Sequence, residues 1–148
     1  MSAVVLFCLV VAIADGDTLT ARCGEPGAYE QVKVRIAGID APEKSQQFGQ
    51  RSRQALAALC HKEEATIKPS ARDRYGRTLA DVQCKGRDAG VAQVSAGMAW
   101  VFDRYSEGYE HLYLMQEAAK GAHEGLWTDL APVAPWDWRE QRRLSSQH

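Results

Sequence analysis

The sequence predicts an α+β fold, rich in β-strands, in which a small closed barrel of five strands carries three helices packed outside it. The order of the elements predicts this architecture, because strand-like segments come first, one helical segment separates the third strand from the fourth, and helical segments come last. The size predicts one domain, since 148 residues with 45% hydrophobic and 25% charged side chains can bury a single core. This composition excludes disordered, collagen-like and multidomain chains.

The charge balance limits how the chain could bind nucleic acid. The sequence has 18 lysine and arginine residues against 19 aspartate and glutamate residues, which gives a formal net charge of −1 at pH 7. Proteins that hold nucleic acid by their overall charge are strongly basic. We therefore expect any contact with nucleic acid to depend on a local group of residues.

The first segment is an uncharged apolar run over residues 1–14, ending in Ala12-Ile13-Ala14, which is typical of a signal-peptide cleavage site. The run is too short for a transmembrane helix, so we expect no membrane anchor. We interpret its second part as a buried strand, because β-branched residues are frequent from Cys8 to Ile13 and the turn-forming pair Asp15-Gly16 follows. Residues 1–7 are then the end of an export signal whose charged start lies upstream, or the start of the first strand.

The four cysteines are even in number and lack the close spacing of a structural zinc site. If Asp15-Gly16 forms a two-residue loop, Cys8 lies directly opposite Cys23, at a hydrogen-bonded pair with Cα atoms about 5.5 Å apart. Cys60 and Cys84 would then pair by elimination. The alternative is that all four are free thiols buried as small apolar side chains. Disulfides would indicate a periplasmic or secreted protein.

The central part of the chain predicts a strand, a helix and a pair of strands. Polar and apolar residues alternate from Val32 to Ile36, as in a half-buried strand. Apolar residues recur at helical spacing from Ser45 to Cys60. Residues 65–68 and 78–84 are strand-like and flank a polar loop over residues 70–76. These segments complete the five strands of the barrel.

The last part of the chain predicts two helices and a tail. Residues 88–96 and 109–122 have apolar side chains on one helical face. We expect Trp136 and Trp138 to dock on the domain and the chain to fray beyond about Arg142. The resulting division is residues 1–7 for the leader or strand start, 8–140 for the domain, and 141–148 for a polar, basic tail.

Two polar hairpin segments contain residues that could carry chemistry. Asp15-Gly16-Asp17-Thr18 has two carboxylates beside a glycine, and taken alone it is most simply a turn. Asp73-Arg74-Tyr75-Gly76-Arg77 presents two arginines, and taken alone it is most simply a solvated hairpin tip. Neither segment by itself predicts a function.

A third segment places Arg35, Asp40 and Glu43 around the end of one strand. Arg35 and Asp40 are five positions apart, and residues an odd number of positions apart on a regular strand lie on opposite faces. The two side chains can converge only if the chain bulges at Gly38 or bends before Asp40. Pro42 has a fixed φ and can turn Glu43 back toward Asp40. Taken alone, these residues could equally be solvated charges on a surface strand.

The three segments together contain what metal-assisted cleavage of a phosphodiester requires. Two acids can hold a hard cation such as Ca²⁺ or Mg²⁺ with oxygen ligands. Two arginines can donate paired hydrogen bonds to the phosphate oxygens that gain charge, and a further acid can act on water.

The same motifs resemble the staphylococcal-nuclease-like, or thermonuclease, family. They are DGDT, then R-x-x-x-x-D-x-P-E, then R-Y-G-R-x-L, in this order and at these distances. The resemblance runs from about Cys8 to Trp138 and includes GMAWV at residues 97–101 and GLW at residues 125–127. The chain is most similar to compact exported bacterial members that end in P-W-x-W-R, here residues 135–139.

The resemblance implies an OB-fold barrel and a Ca²⁺-dependent nuclease that acts on DNA and RNA with little sequence preference and favours single strands. It implies Ca²⁺ ligation by the carboxylates of Asp17 and Asp40 and by the backbone carbonyl of Ala41. Asp15 would lie behind these ligands. We expect a monomer that leaves 3′-phosphate and 5′-hydroxyl ends.

The resemblance also implies roles in catalysis and substrate binding. Arg35 and Arg77 would bind the scissile phosphate and stabilise its transition state, and Glu43 would be the general base. Tyr75 and Tyr105 would contact the substrate. The chain departs from the best-known members by having Ala41 in place of a hydroxyl residue and a shorter stretch between Glu43 and the first helix.

Two alternatives belong to other functional classes. An OB-fold can bind single strands without chemistry, and some family domains have lost the catalytic residues. A small disulfide-stabilised secreted protein with a structural Ca²⁺ site would use Asp17 and Asp40 but would leave both arginines without a role. The presence of the complete set of acids and arginines favours the enzyme.

Overall fold

The structure is a computed structural model and describes residues 4–146. This part of the chain contains the strands β1 (Leu6–Asp15), β2 (Thr18–Cys23), β3 (Glu30–Ile36), β4 (Ile39–Asp40), β5 (Glu64–Arg72), β6 (Thr78–Cys84), β7 (Arg87–Asp88) and β8 (Trp100–Val101). Its α-helices are α1 (Gly49–Cys60), α2 (Ala89–Ser95), α3 (Leu112–Gly121) and α4 (Pro135–Ser145). Short 3₁₀ turns lie at Asp103–Tyr105 and Gly125–Thr128.

Five of the strands close into a barrel. Their order is β3-β2-β1-β5-β6, and a parallel pairing of β3 with β6 closes it, for example between Arg35 and Leu79. Strand β7 extends this sheet beside β6, while β4 and β8 form a separate two-stranded pair. The predicted OB-fold barrel with helices outside is confirmed, although α4 is a fourth helix that was not predicted.

The first hairpin turns one residue later than predicted. Its loop is Gly16-Asp17, because Asp15 already pairs with Thr18. A later loop alone would move the partner of Cys8 by two positions. Two register shifts in β1, at Val11 and Ala14, compensate for the later loop and restore Cys23 as the partner of Cys8. The predicted pairing of Cys8 with Cys23 is therefore correct, while the predicted loop was wrong.

Contacts at Gly16 explain where the hairpin turns. A Cβ atom on Gly16 would lie 1.7 Å from Oγ of Ser52, so only glycine allows the loop to pack against α1. Gln93 from α2 donates a hydrogen bond to the Gly16 carbonyl at 2.8 Å. The loop position is thus set by the helices that cover this end of the barrel.

Both predicted disulfides are present, and all four cysteines are buried. The Cα atoms of Cys8 and Cys23 are 4.2 Å apart, which is shorter than the expected hydrogen-bonded spacing because the register shifts alter the ladder. The Cys60–Cys84 disulfide ties the end of α1 to β6. Ala65 pairs with both Cys8 and Cys84, so the two disulfides start from the same row across the sheet. They favour a non-reducing, exported environment.

The apolar core fills the barrel and continues under α1, α2 and α3. A smaller cluster contains Ala119, Leu126 and Trp127, with Phe48 and Trp100 packed against it. No helix within residues 4–146 has the length and apolarity needed to cross a bilayer. At one end of the barrel, the first hairpin packs against Ser52 of α1, and α4 contacts Asp40 of β4 through Arg139.

Several element boundaries differ from the predicted ones. Helix α1 begins at Gly49 instead of Ser45, because residues 44–48 form turns, and α3 begins at Leu112. Strand β5 extends to Arg72, so the loop before β6 is shorter than predicted.

The two ends of the chain also differ from expectation. Helix α4 continues to Ser145, beyond the point where fraying was expected. Strand β1 begins at Leu6, and residues 1–3 of the predicted leader lie outside the described residues.

Candidate active site

The first hairpin loop contributes Asp17, whose side chain is 8% exposed. Its Oδ1 accepts a hydrogen bond from the Thr18 hydroxyl at 2.8 Å, and its Oδ2 accepts one from the backbone N–H of Ala41 at 2.8 Å. The carboxylate therefore joins the loop to the segment that follows β4. This contact brings the first and second predicted motifs to one place.

Arg35 lies at the centre of this group, in β3. Its Nη1 donates to the carbonyls of Ile39 at 2.9 Å and Ile36 at 3.2 Å. Its Nη2 donates to Oδ1 of Asp40 at 3.1 Å and lies 3.5 Å from Oδ2 of Asp17. One guanidinium thus holds both predicted metal-binding carboxylates.

Gly38 makes the convergence of Arg35 and Asp40 possible. The chain turns after Ile36, and Gly38 has a φ of 83°, which side chains rarely adopt. A Cβ atom there would also lie 2.5 Å from the ring of Tyr109. The predicted bend between the two residues is confirmed. Its cause is Gly38, which packs closely against Tyr109 just before α3.

Asp40 is 1% exposed and accepts hydrogen bonds from two arginines. Burial raises the pKa of Asp40, and the hydrogen bond from Arg139 acts in the opposite direction. A carboxylate so deeply buried is kept in place by cationic partners, because an unpaired charge there would be costly.

Glu43 is held by the turns that precede α1. Its backbone N–H donates to Oε1 of Gln46 at 3.2 Å, and its carbonyl accepts from the Gln46 N–H at 2.9 Å. Gln46 also donates to the Val133 carbonyl at 2.7 Å. A Cβ atom on Gly49 would lie 1.8 Å from the Glu43 carbonyl oxygen. The short stretch before α1 is therefore closely packed around Glu43.

Arg139 is a site residue that the sequence analysis missed. It comes from α4, and its guanidinium contacts both Asp40 and Glu43. The motif P-W-x-W-R includes it, but the partners lie nearly a hundred positions earlier in the chain, and no local pattern indicates them. Burial lowers the pKa of Arg139, but the hydrogen bonds and negative charges of Asp40 and Glu43 together raise it by more, so the guanidinium stays charged.

Two buried polar side chains next to the first hairpin loop were also not predicted from the sequence. Gln93 donates to the carbonyls of Gly16 at 2.8 Å and Ser52 at 3.0 Å. Ser52 donates to the Met98 carbonyl at 2.6 Å. Gln93 thus satisfies the carbonyl next to Asp17 and ties that loop to Ser52 in α1. The only sequence signal for the two residues is that polar side chains stand among apolar ones in α1 and α2.

Arg77 and Tyr75 stay in their own hairpin. Arg77 donates through Nε to Oδ2 of Asp73 at 2.7 Å, and both arginines of the loop lie over the Tyr75 ring. Burial raises the pKa of Asp73, but hydrogen bonds from Arg77 and Tyr75 lower it by more. Within residues 4–146 Arg77 has no hydrogen bond to the acids of the site.

Two further predicted residues lie at the edge of the site. Tyr105 is exposed and packs edge-on against Phe102 at 5.0 Å between ring centroids, and Phe102 in turn lies 5.7 Å from the guanidinium carbon of Arg35. Asp15 lines a groove together with Glu43. Partial burial raises the pKa of Asp15, as do the charges of Asp17 and Glu43.

A groove of about 450 Å³ opens beside Glu43. Its walls combine acidic, basic and aromatic side chains, which are Asp15, Glu43, Lys44, Ser45, Trp138, Arg139 and Arg142. The cationic and aromatic groups suit a polyanionic strand that carries bases. The groove therefore gives access to Glu43 from the α4 side.

The oxygen donors of the site suit a hard cation. Asp17 and Asp40 share one arginine donor, so their carboxylates face the same point, and the Ala41 backbone follows directly. No cluster of three or more Asp, Glu, His or Cys side chains arranged for a metal is found within residues 4–146. A cation would need water or substrate oxygens beside these two carboxylates, as Ca²⁺ and Mg²⁺ commonly use.

Similarity to known proteins covers most of the chain. Residues 33–129 match the family model described as staphylococcal nuclease homologue. A Haemophilus influenzae protein named uncharacterized endonuclease is 42% identical over 139 residues, covering 93% of this chain and 75% of that protein. A Shigella flexneri protein named micrococcal nuclease is 36% identical over 140 residues, covering 88% of this chain and 78% of that protein.

An Escherichia coli O157:H7 protein named uncharacterized endonuclease is 36% identical over 134 residues, which is 90% of this chain and 84% of that protein. The residues matched by the family model include Arg35, Asp40, Glu43 and Arg77. Arg139 lies beyond them.

Proposed function

The chain belongs to the family of staphylococcal nuclease homologues, a family of nucleases, and we propose that it is a Ca²⁺-dependent enzyme that hydrolyses DNA and RNA with little sequence preference. The observation that carries this proposal is the convergence of Asp17, Arg35, Asp40 and Glu43 at one end of the barrel. Acids and arginines in direct contact are what phosphodiester hydrolysis requires, whereas a nucleic-acid-binding surface needs only the arginines.

Asp17 and Asp40 hold the cation in this proposal, together with the backbone carbonyl of Ala41. A Ca²⁺ ion held there would supply positive charge to the phosphate and lower the pKa of a nearby water. Asp15 lies next to this group and adds negative charge that favours the cation. Asp17 and Asp40 are already fixed by Ala41 and Arg35, so little reorganisation is needed when the substrate binds.

Arg35 and Arg77 bind the scissile phosphate. The two terminal nitrogens of Arg35 make three hydrogen bonds and lie beside Asp17, whereas its Nε has no hydrogen-bond acceptor within residues 4–146. Arg35 therefore has one donor to offer, and Arg77 offers the Nη donors that its Asp73 contact leaves free. Arginine is suited to this task because its charge persists at all relevant pH values.

Glu43 takes the proton of the attacking water. Its side chain is 34% exposed, so water from the groove reaches it. Arg139 and the turns between Glu43 and α1 hold its position. Attack at phosphorus then breaks the P–O5′ bond, and the leaving O5′ takes a proton from solvent water, which gives 3′-phosphate and 5′-hydroxyl ends. A single strand fits best, because the exposed Tyr75 and Tyr105 and the groove-lining Trp138 are aromatic groups on which unpaired bases can stack. We expect a monomer.

The first test is release of acid-soluble nucleotides from single-stranded DNA by the purified chain. We expect release with Ca²⁺, none with a chelator, and much slower release with Mg²⁺ alone, because Mg²⁺ keeps its water shell and octahedral geometry. Equal rates in Mg²⁺ would refute the Ca²⁺ assignment. Binding of the strand without release would instead favour the silent OB-fold module.

The disulfides carry a proposal about location. We propose that the protein acts in the periplasm or outside the cell, because both disulfides are buried and need an oxidising compartment to form. Mass spectrometry of the protein taken from its native compartment without reductant should find Cys8 linked to Cys23 and Cys60 to Cys84. Four free thiols in that sample would remove the support for export.

A further inference from the structure

Helix α4 places one guanidinium between two acids of the site. Arg139 donates from Nη2 to Oδ2 of Asp40 at 2.6 Å, from Nη1 to Oδ1 of Asp40 at 3.2 Å, and from Nη1 to Oε1 of Glu43 at 2.8 Å. This is a forked contact to one carboxylate with a third bond to the other. Such a contact fixes the relative position of both carboxylates.

The position of Arg139 is set by packing at the start of α4. Trp136 stacks on Phe102 with ring centroids 5.4 Å apart and planes 2° from parallel, and it meets Trp100 edge-on at 5.6 Å. Pro135 is buried at the first turn of the helix. Arg139 follows Trp136 by three residues and so shares its helix face. The aromatic contacts therefore anchor the helix, and one turn later the arginine reaches the acids.

The charges around Arg139 show what its removal would do. Four acids meet at this end of the barrel, namely Asp15, Asp17, Asp40 and Glu43. Arg35 and Arg139 are the two arginines in contact with them among the described residues. Without Arg139 the group gains one net negative charge, and Asp40 and Glu43 lose the partner that joins them.

We propose that Arg139 is a positioning residue of the active site: it fixes Asp40 and Glu43 relative to each other and holds the affinity for the cation below what the acids alone would give. Helix α4 is then part of the catalytic site and not an accessory tail. This inference rests on the proposed function, since it assigns Glu43 to the chemistry and Asp40 to the cation. It has two consequences of opposite sign, which a merely structural residue would not have.

The first consequence is tighter binding of Ca²⁺ when the charge of Arg139 is removed. Isothermal titration calorimetry without nucleic acid should give an affinity about tenfold higher for Arg139→Gln than for the unchanged chain, because a competing positive charge is gone. Arg139→Lys keeps the charge and should change the affinity much less. An affinity for Arg139→Gln that is unchanged or lower would overturn the proposal.

The second consequence is slower turnover. Arg139→Gln should lower kcat on single-stranded DNA at saturating Ca²⁺ by about tenfold or more with little change in KM, because Glu43 and Asp40 are no longer aligned. Arg139→Lys should recover only part of the rate, since an ammonium cannot form the forked contact. Unchanged kcat in Arg139→Gln would equally overturn the proposal.

Arg143→Gln is the matched control, because it removes the same charge from the same helix. Arg143 is exposed and pairs with Glu140, away from the acids of the site. Its Ca²⁺ affinity and kcat should equal those of the unchanged chain, and thermal melting should show all three variants folded. An equal gain of affinity in Arg143→Gln would show a nonspecific charge effect and refute the proposal. If the unchanged chain cleaves nothing, the proposed function fails, and the calorimetry alone decides on Arg139.

Discussion

Replacing Glu43 by glutamine is expected to lower kcat by about 10²–10⁴-fold, while the fold and the affinity for single-stranded DNA are kept. Glutamine has nearly the same size, and its carbonyl oxygen can still accept the hydrogen bond that Arg139 donates to Oε1 of Glu43 at 2.8 Å. It cannot take a proton from water at neutral pH. The variant should therefore lose the chemical step and little else.

The measurement is steady-state cleavage of single-stranded DNA in Ca²⁺, with binding of the same strand measured separately. Glu25→Gln is the control, since Glu25 is exposed in the loop between β2 and β3 and its removal changes the net charge equally. It should keep the full rate. A loss of less than tenfold in Glu43→Gln would mean that Glu43 is not the general base.

Replacing Arg35 or Arg77 by lysine should lower turnover by about 10²-fold or more, although the charge is kept. For Arg77, lysine lacks the two terminal nitrogens that could donate parallel hydrogen bonds to a phosphate, and for Arg35 it lacks the Nε–H donor. For Arg35 the change also breaks a buried network, because one ammonium cannot reach the carbonyls of Ile36 and Ile39 as well as the two carboxylates. Arg35→Lys should therefore be less stable as well as slower.

Arg74→Lys is the matched control for Arg77→Lys. Both arginines lie in the hairpin between β5 and β6 and both approach the Tyr75 ring, at 5.0 Å for Arg74 and 5.6 Å for Arg77. If Arg77 clamps the phosphate, its lysine variant loses turnover and Arg74→Lys does not. If both variants have the same turnover as the unchanged chain, with thermal melting unchanged, Arg77 is a solvated surface charge and does not clamp the phosphate.

The location of the disulfides limits what their reduction can do. Cys8 lies seven positions before Asp15 along β1, so the Cys8–Cys23 bond is at the opposite end of the first hairpin from the candidate site. The Cys60–Cys84 bond starts from the same row across the sheet, two strands away on β6. The disulfides therefore stabilise the barrel and take no direct part in the proposed chemistry.

The barrel was predictable because each of its strands can be identified from the pattern of neighbouring residues. Alternation from Val32 to Ile36 and the polar segments between strands depend on residues that are neighbours in sequence, and the structure keeps these elements within a few residues. The convergence of Arg35 and Asp40 was predictable for the same reason. It needed only a bend within the five residues that separate them, and Gly38 supplies it.

In the first hairpin, the predicted pairing of Cys8 with Cys23 is correct although the predicted loop is wrong. A regular two-residue turn at Asp15-Gly16 predicts Cys8 opposite Cys23, whereas the real turn is one residue later and two bulges compensate for it. The later turn depends on close packing of Gly16 against Ser52, which lies 36 positions further along the chain. Such a contact leaves no signal in the local pattern of either segment.

The sequence by itself therefore determined the barrel, the pairing of the cysteines and the acids and arginines near the end of β3, because each depends on periodicity, turn chemistry or spacing over a short stretch. Only the tertiary structure decided that the C-terminal segment is a helix of the site. Arg139 meets Asp40 and Glu43 because Trp136 packs between Trp100 and Phe102, and these partners come from distant parts of the chain. Long-range packing of this kind is chosen by the folded shape as a whole, and a reading of neighbouring residues cannot supply it.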